Sequence, residues 1–503
     1  MKLTAAIFLL LVVSVYCSAQ TPNIVFILTD DLDTEIGGMT PLEKTKRLIG
    51  DNGITFLNMF VTTPICCPSR ASIFTGKYQH NHRTLNNTVD GGCSNTAWQQ
   101  TEEHKAFPFH LQTQGYDTFF AGKYLNQYGM DTVGGVGHVP PGWSSWVGLV
   151  GNSVYYNYTL SVNGTAETHG HDYTSDYLTD VIHKRAKEFL GDKTNDSSPF
   201  FMMLSTPACH DPWEPAPQYE SNFPDIQAPR FGSFNTHGKG KHWLIQQAIT
   251  PMDNDTIAFV DDVYRRRWRT LLSVDDMVED LVNTLEAKGL LANTFIFFSS
   301  DNGYHTGQFS MPTDKRLLYE FDVRVPLLVR GPGVAAGSKN EENVLNIDFG
   351  PTFVELAGGH VPDTMDGKSL ASVLHNTRDD SVPFRTEFLT EYQGETNTNI
   401  FSCSQWENQG MAYCPVWAHC VCEDSWNNTY TCIRRSDGEQ NMKFCQFADS
   451  ESFEEMYDLS RDHYELMNIA KSHPEERSQL LDAMSRLVAC NGASCRSPQA
   501  NLS

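Results

Sequence analysis

Four short apolar runs, each followed by polar residues, set the pattern of this chain. They cover residues 23–29, 117–121, 199–204 and 294–300. Each run is mainly apolar at consecutive positions rather than at alternate ones, and each has the length of a β-strand. Runs of this kind are typical of central parallel strands that helices cover on both faces. The pattern therefore predicts an α/β protein built on a mostly parallel sheet.

Helical periodicity fills the segments between these runs. We predict helices over residues 41–52, 173–190 and 265–288, the last with a continuous apolar face. Beyond about residue 376 the apolar runs thin out, and eight cysteines fall between Cys403 and Cys495. We therefore place a domain boundary near Pro383 and expect a catalytic domain over 20–382 and a smaller disulfide-rich domain over 383–503.

Acidic and amide side chains follow two of the apolar runs directly. Asp30 and Asp31 come after the first run, and Asp301 and Asn302 come after the last. In open α/β sheets, ligands bind at the carboxyl ends of the strands. Four hard oxygen donors suit Ca²⁺ or Mg²⁺ better than zinc or copper. The alternative interpretation is a pair of ordinary polar turns.

The segment 65–78 carries the most distinctive chemistry. Its core, Cys66-x-Pro68-Ser69-Arg70, with Thr75-Gly76-Lys77 further on, resembles the signature of the sulfatase family. In that family the cysteine is oxidised after synthesis to formylglycine, an aldehyde whose hydrate is the nucleophile. Pro68 fits the first turn of a helix, where no backbone donor is needed, and a helix N-terminus favours an anion. The alternative is a disulfide-bonded cysteine in front of a capped helix.

The resemblance implies a fold and a set of site residues. The fold would be α/β, alkaline-phosphatase-like, with a large mixed, mostly parallel sheet sandwiched by helices and a smaller C-terminal α+β domain. One Ca²⁺ ion is expected beside the modified cysteine. The implied catalytic residues are Cys66, Arg70, Lys123, His210 and Lys315, and the implied metal ligands are Asp30, Asp31, Cys66, Asp301 and Asn302.

One position departs from the family pattern. Many relatives have a histidine two residues after the lysine that corresponds to Lys123, and here that position is Leu125. A polar contact to the substrate is therefore left unassigned. Asn126 and His138 are the two candidates to replace it.

The further resemblance concerns the substrate. Stretches such as Lys77-Tyr78-Gln79-His80, Lys241-His242-Trp243 and Asp301 to Phe309 look most like sulfatases that remove 6-O-sulfate from terminal N-acetylglucosamine of heparan and keratan sulfate. The extracellular heparan 6-O-endosulfatases share much of this sequence but carry a long basic insertion, which is absent here. An aryl- or other carbohydrate sulfatase remains an alternative. A phosphatase of the related alkaline-phosphatase group, or a non-catalytic glycan-binding matrix protein, would belong to a different class.

Charge and cysteine content indicate the compartment and partners. The net charge of −24 argues against nucleic-acid binding, although a local cationic pocket can still attract a sulfated glycan. Residues 1–19 look like a secretory signal peptide, and no later apolar stretch is long enough to span a bilayer. Seven Asn-x-Ser/Thr sequons fit a glycoprotein, lysosomal or else secreted. The expected partners are the glycan and, during maturation, the formylglycine-generating enzyme, and a homodimer is left open.

Cysteine counting predicts an unpaired thiol. Thirteen cysteines are present, and removing Cys17 with the signal peptide and Cys66 by oxidation leaves eleven, an odd number. The Cys420-x-Cys422 pair could bind a metal, but an oxidising compartment favours disulfides.

Overall fold

A computed structural model describes residues 20–379, 381–395 and 414–496. The expected signal peptide lies outside these described residues. No helix within the described ranges is both long and apolar enough to cross a membrane.

Sixteen strands form one large sheet and two smaller ones in the described residues. The strands are β1 Asn23–Thr29, β2 Ile54–Phe56, β3 Met59–Phe60, β4 Asp117–Lys123, β5 Ser145–Leu149, β6 Thr159–Val162, β7 Thr165–Thr168, β8 Phe200–Ser205, β9 Thr294–Ser300, β10 Leu327–Arg330, β11 Ser338–Asn340, β12 Val344–Leu345, β13 Glu387–Tyr392, β14 Tyr430–Ser436, β15 Asn441–Phe447 and β16 Glu454–Asp458.

The large sheet has ten strands in the order β11-β2-β10-β9-β1-β8-β4-β5-β6-β7. Its centre, from β9 through β1, β8 and β4 to β5, is parallel, while β10, β6 and β7 pair antiparallel. Every residue of β1, β8 and β9 is buried, as continuous apolar runs predict for strands covered on both faces. The expected fold class, a large mixed and mostly parallel sheet, is confirmed.

Helices pack on both faces of this sheet. The α-helices are α1 Glu43–Thr45, α2 Cys66–Thr75, α3 Gln79–His82, α4 Thr96–Thr101, α5 Phe107–Thr113, α6 Tyr173–Asp176, α7 Leu178–Gly191, α8 Trp243–Gln246, α9 Asn254–Ala287, α10 Glu320–Val323, α11 Phe349–Leu356, α12 Ala371–Leu374, α13 Pro474–Val488 and α14 Ala493–Arg496. One face of the sheet packs against α2, α5 and α11, and the other against α7 and α9.

The longest helix begins earlier than its apolar stripe predicts. Helix α9 starts at Asn254, eleven residues before the expected start, because Asp253 caps it by accepting a hydrogen bond from the Thr256 backbone N–H at 2.8 Å. The first turns of α9 carry several charged residues, so the apolar periodicity alone does not reveal them.

A four-stranded antiparallel sheet, β13-β14-β15-β16, forms the C-terminal part of the described chain, and α13 packs against it. Three disulfides join described residues of this region, as the cysteine density predicts: Cys414–Cys420, Cys432–Cys445 and Cys490–Cys495. Cys422 is also disulfide-bonded, so the Cys420-x-Cys422 pair does not bind a metal. Within the described residues, the free thiols are Cys66 and Cys209, both buried.

Candidate active site

The ends of β1 and β9 bring four oxygen-bearing side chains together. The two strands are parallel neighbours with Thr29 opposite Ser300, so the residues that follow them emerge at the same edge of the sheet. The backbone N–H of Asp31 donates to Asp301 Oδ1 at 3.1 Å, and Asn302 Nδ2 donates to Asp31 Oδ1 at 2.8 Å. Asp31 has φ of 64°, a left-handed conformation that aspartate tolerates better than most residues. All four side chains are fully buried.

Helix α2 delivers Cys66 to this edge. The helix begins at Cys66 itself after an extended Ile65 and ends at Thr75, and Gly76 caps it with a φ of 66°. The thiol Sγ lies 3.7 Å from Asp30 Oδ1. Every residue of α2 is buried, so the thiol has a fixed position at the N-terminal end of the helix, where backbone N–H groups favour an anion.

Arg70 lies one turn after Cys66 on the same face of α2. Its Nε donates to Asp301 Oδ2 at 2.7 Å, and its Nη1 donates to the Lys123 carbonyl at 2.8 Å and to Ser205 Oγ at 2.6 Å. Its Nη2 is buried, has no hydrogen-bond partner in the described residues, and lies 3.7 Å from Asp30 Oδ2. The guanidinium is thus held rigidly with one donor still unused.

Two buried lysines reach the same carboxylates from different segments. Lys123, the last residue of β4, places its Nζ 2.7 Å from Asp30 Oδ2. Lys315 places its Nζ 2.7 Å from both carboxylate oxygens of Asp31. Burial opposes the charge of each lysine, but Asp30 raises the pKa of Lys123 and Asp31 raises the pKa of Lys315 well above its usual value. Both ammonium groups are therefore charged at any physiological pH.

His210 follows β8 at the same edge of the sheet. One of its ring nitrogens lies within 4.8 Å of ligand atoms of both Asp30 and Cys66. Its Nδ1 is 2.6 Å from Asp211 Oδ1. Burial would lower the pKa of His210, but the Asp211, Asp30 and Asp31 carboxylates together outweigh burial and raise that pKa well above the usual value. The imidazole is consequently protonated and able to give a proton to a departing oxygen.

The carboxylates respond unequally to this environment. Burial would raise the pKa of Asp30, but Lys123, His210 and Arg70 together hold it well below the usual range. Burial raises the pKa of Asp301 to about 6, against the opposing effect of Arg70 and with the help of the neighbouring Asp30 carboxylate.

The oxygen cluster fits a divalent cation. Oxygens of Asp30, Asp31 and Asp301 lie within 4.8 Å of one another, and Asn302 Oδ1 is buried with no hydrogen-bond partner in the described part of the chain. Three carboxylates so close repel each other unless positive charge lies between or beside them. Hard oxygen donors without nitrogen are the ligand type that Ca²⁺ and Mg²⁺ prefer.

The structure thus brings together all nine residues that the sequence singled out. It also adds contacts that the sequence did not reveal. Ser153 Oγ donates to Asp30 Oδ2 at 2.5 Å, and Ser205 Oγ accepts from Arg70. Ser205 is the last residue of β8 and therefore had a positional signal, whereas Ser153 lies in a loop with none.

The structure gives different partners to the two candidates for the contact missing at Leu125. The His138 ring lies 2.9 Å from Glu103, and the His138 backbone carbonyl accepts from Tyr128. Asn126 instead donates to Asn152 Oδ1 at 3.2 Å, and Asn152 lines the pocket beside His210.

A narrow polar pocket opens above this cluster. Its wall combines amide, acidic, basic and aromatic side chains, which suits a hydroxyl-rich ligand. The lining residues include Asn87, Asn152, His210, Asp211, Tyr304, Asp314, Lys315 and Arg316.

Comparison with protein families gives one decisive match. The sulfatase family model matches residues 22–359, which is most of the chain and includes every site residue described above. The chain belongs to the sulfatase family. Sulfatases generally use a formylglycine made from cysteine together with a metal ion, and the acidic cluster beside Cys66 is consistent with both.

Several curated sulfatases are similar over nearly the whole chain. N-acetylglucosamine-6-sulfatase of Capra hircus is 52% identical over 485 residues, covering 96% of this chain and 86% of that protein. The Homo sapiens N-acetylglucosamine-6-sulfatase is 51% identical over 491 residues, covering 97% and 88%. An extracellular sulfatase SULF-1 homolog of Drosophila melanogaster is 39% identical over 383 residues, covering 75% of this chain but 34% of that protein.

Solved structures share the fold at low sequence identity. BT4656, solved in complex with its substrate D-glucosamine-2-N,6-O-disulfate, superposes with a TM-score of 0.72 at 24% identity, covering 93% of this chain and 97% of that one. A phosphonate monoester hydrolase from Silicibacter pomeroyi superposes with a TM-score of 0.70 at 18% identity, covering 95% and 97%. The fold is therefore common to sulfatases and phosphonate hydrolases, and the site chemistry must distinguish them.

Proposed function

We propose that this sulfatase hydrolyses the 6-O-sulfate of terminal N-acetylglucosamine 6-sulfate residues in glycosaminoglycans such as heparan sulfate and keratan sulfate. The observation that carries the proposal is the charge arrangement around Cys66. One buried cluster pairs Lys123, Lys315 and Arg70 with the carboxylates of Asp30, Asp31 and Asp301. Similarity to N-acetylglucosamine-6-sulfatases over nearly the full chain supports the choice of sugar and of the 6-position.

Each of these residues has a separate role in sulfate ester cleavage. Lys123 and Lys315 neutralise charge on the sulfuryl oxygens, since compact ammonium groups can follow a ligand that changes shape. Arg70 fixes the nucleophile at residue 66 through its unused Nη2. His210 protonates the departing sugar oxygen, with Asp211 orienting its ring.

The oxygen cluster would hold one Ca²⁺ ion through Asp30, Asp31, Asp301 and Asn302, with residue 66 beside it. When present, the ion supplies positive charge opposite the sulfate, and formylglycine supplies a geminal diol as nucleophile. Calcium accepts six to eight oxygens at flexible angles, which fits a site built from two loops.

The proposal also covers the cellular location of the protein and its domain boundaries. We place the protein in the secretory pathway, with the lysosome as its destination and maturation by the formylglycine-generating enzyme. The catalytic unit is residues 20–382 and the smaller domain is residues 383–503.

The test is release of inorganic sulfate from defined substrates at acid pH. N-acetylglucosamine 6-sulfate should be hydrolysed, while galactose 6-sulfate and 2-O-sulfated uronate disaccharides should not, and chelation by EDTA should abolish the activity until Ca²⁺ is restored. A matched pair of oligosaccharides, with the sulfated glucosamine at the non-reducing end or inside the chain, separates exo from endo action. Cleavage of the internal site alone, or no sulfate release from any 6-sulfated glucosamine, would refute the proposal.

A further inference from the structure

A second histidine lies between two carboxylates just outside the sulfate pocket. His305 Nδ1 is 3.1 Å from Asp322 Oδ1, and His305 Nε2 is 3.2 Å from Glu423 Oε1. The three side chains are fully buried and come from three separate segments: the loop after β9, helix α10 and the C-terminal region. We refer to His305, Asp322 and Glu423 as the imidazolium clamp.

The clamp is a buried ion-pair cluster rather than a metal site. Asp322 and Glu423 contact opposite nitrogens of the same ring, whereas a metal ion binds a histidine through one nitrogen at a time. Burial would lower the pKa of His305, but Glu423 and Asp322 outweigh it and raise the pKa to about 10. With both ring nitrogens facing carboxylates, the ring is a buried cation.

The clamp holds the segment that carries Lys315 at both of its ends. The His305 backbone N–H donates to the Asp314 carbonyl at 2.9 Å, and Asp322 Oδ2 accepts from the Leu317 backbone N–H at 2.9 Å. Between these two anchors, Lys315 Nζ reaches Asp31.

The backbone of that segment needs such support. Asp314 has φ of 153° and Arg316 has φ of 88°, values that L-residues rarely adopt. Conformations of this kind persist only where the surrounding structure enforces them. Since Lys315 lies between the two, a relaxation of either neighbour would move its ammonium group away from Asp31.

The same helix also anchors the metal-ligand loop. The backbone N–H of Gly303 donates to the Asp322 carbonyl at 2.8 Å, and the backbone N–H of Tyr304 donates to the Phe321 carbonyl at 3.0 Å. Asp322 thus connects the loop after Asn302 with the segment around Lys315, and Glu423 adds the C-terminal region to this connection.

We propose that His305, clamped between Asp322 and Glu423, is a positioning residue that holds Lys315 against Asp31 in the sulfate pocket. The C-terminal region, through Glu423, is then part of the active-site support and not only a cover for the sheet. This inference rests on the proposed function, because it assigns sulfate binding to Lys315.

A double-mutant cycle tests the proposal. His305→Gln should lower kcat/KM by about 10- to 100-fold in the wild-type background, the size expected for a displaced substrate-positioning group. In a Lys315→Ala background the same substitution should change kcat/KM by less than about threefold, because the group it positions is gone. Equal losses in both backgrounds would overturn the proposal, since a merely structural histidine acts independently of Lys315.

The control is His242→Gln. His242 is also a buried histidine paired with a carboxylate, Asp449 at 2.8 Å, but it stacks on Phe447 away from the sulfate pocket. This variant should lose stability comparably and leave kcat/KM of the folded enzyme unchanged in both backgrounds. If His242→Gln showed the same coupling to Lys315, the coupling would not be specific to the clamp and the proposal would fail.

A second variant and a binding measurement complete the test. If His305→Gln does not fold, Glu423→Gln replaces it, because neither Glu423 oxygen makes a hydrogen bond within the described residues and the substitution keeps the shape. Its expected loss is about 3- to 10-fold, again absent in the Lys315→Ala background. The Kd of inorganic sulfate is also measured for each variant of the cycle. This measurement tests the clamp even if the 6-sulfated sugar is not the substrate. Additive changes in sulfate Kd would overturn the clamp whatever the substrate.

Discussion

The active site and a second buried charge cluster beside the C-terminal sheet both combine carboxylates with lysine and arginine, but they differ in how completely their hydrogen bonds are satisfied. In the second cluster, which we term the junction cluster (Glu320, Arg434, Lys443, Glu455 and Glu465), each charge has a partner. Glu320 contacts Arg434 at 2.6 Å and Lys443 at 2.8 Å, and Lys443 also contacts Glu465 at 2.7 Å. Among the described residues, no side-chain atom of this cluster is buried without a hydrogen bond.

The active site leaves atoms unsatisfied. Arg70 Nη2 and Asn302 Oδ1 are buried without hydrogen-bond partners among the described residues, and Lys315 lines a pocket. A buried polar atom without a partner costs about 1–3 kcal/mol, so it persists where a ligand satisfies it during function. Of these two charged clusters, the one with incomplete hydrogen bonds is therefore the one suited to bind a ligand.

Removal of the assigned nucleophile is the strongest test of the active-site assignment. Cys66→Ala should reduce sulfate release by at least about 10³-fold, because it removes the side chain assigned as the nucleophile. The free energy of unfolding should change by less than about 1 kcal/mol, since the thiol makes only a weak contact with Asp30. The measurement is sulfate release beside urea denaturation, and an active Cys66→Ala enzyme would refute the assigned nucleophile.

Removal of one cation from the pocket should have the next largest effect. Lys123→Ala should lower kcat/KM by about 10²- to 10³-fold, because one group that neutralises sulfuryl charge is lost. Lys77→Ala is the control, since Lys77 is also a buried lysine, paired with Glu102 at 2.6 Å. Steady-state kinetics should show a loss for Lys123→Ala and little change for Lys77→Ala, and equal losses would contradict the role of Lys123.

The junction cluster should show the reverse pattern. Glu320→Gln leaves Arg434 and Lys443 without one of their anionic partners, and breaking a buried ion pair costs about 3–5 kcal/mol of the free energy of unfolding. The kcat/KM of the folded fraction should remain within about twofold of wild type. Chemical denaturation and steady-state kinetics on the same preparation test this prediction. A lower kcat/KM with an unchanged free energy of unfolding would contradict the structural role of the junction cluster.

The clamp predicts a smaller, pH-dependent effect. Burial would lower the pKa of His305, but the Glu423 and Asp322 carboxylates together outweigh burial and raise it to about 10. Between pH 6.5 and 10 the folded state therefore holds a proton that the unfolded state releases, and the free energy of unfolding should fall as pH rises.

The measurement is the free energy of unfolding from about pH 6.5 to 10 for wild type and Glu423→Gln. The wild-type value should decline across this range, and the variant should decline less because the carboxylate that raises the pKa of His305 is gone. Parallel slopes would show that Glu423 does not carry the pH dependence.

The central sheet and the metal-type cluster could be predicted from the sequence because their signals are local. A continuous apolar run followed at once by Asp30 and Asp31 fixes both a buried strand and the position of its polar end. The assignment of Lys123, His210 and Lys315 depended on resemblance, since a lone lysine or histidine after a strand has no distinctive pattern.

Other features depend on distant contacts and had no local signal. Ser153 reaches Asp30 across 123 positions, and Glu423 reaches His305 from another part of the chain. His138 was a reasonable candidate by proximity in sequence, but its partner Glu103 could be identified only from the fold. Apolar periodicity does not predict the early start of α9, because the helix is capped by Asp253 and its first turns carry charged residues.

The most direct test of the account is peptide mass spectrometry of residue 66 in protein purified from cells that contain the formylglycine-generating enzyme, with sulfate release measured on the same sample. The account predicts formylglycine at residue 66, with activity in proportion to the modified fraction. An active enzyme whose residue 66 is entirely unmodified cysteine would contradict it.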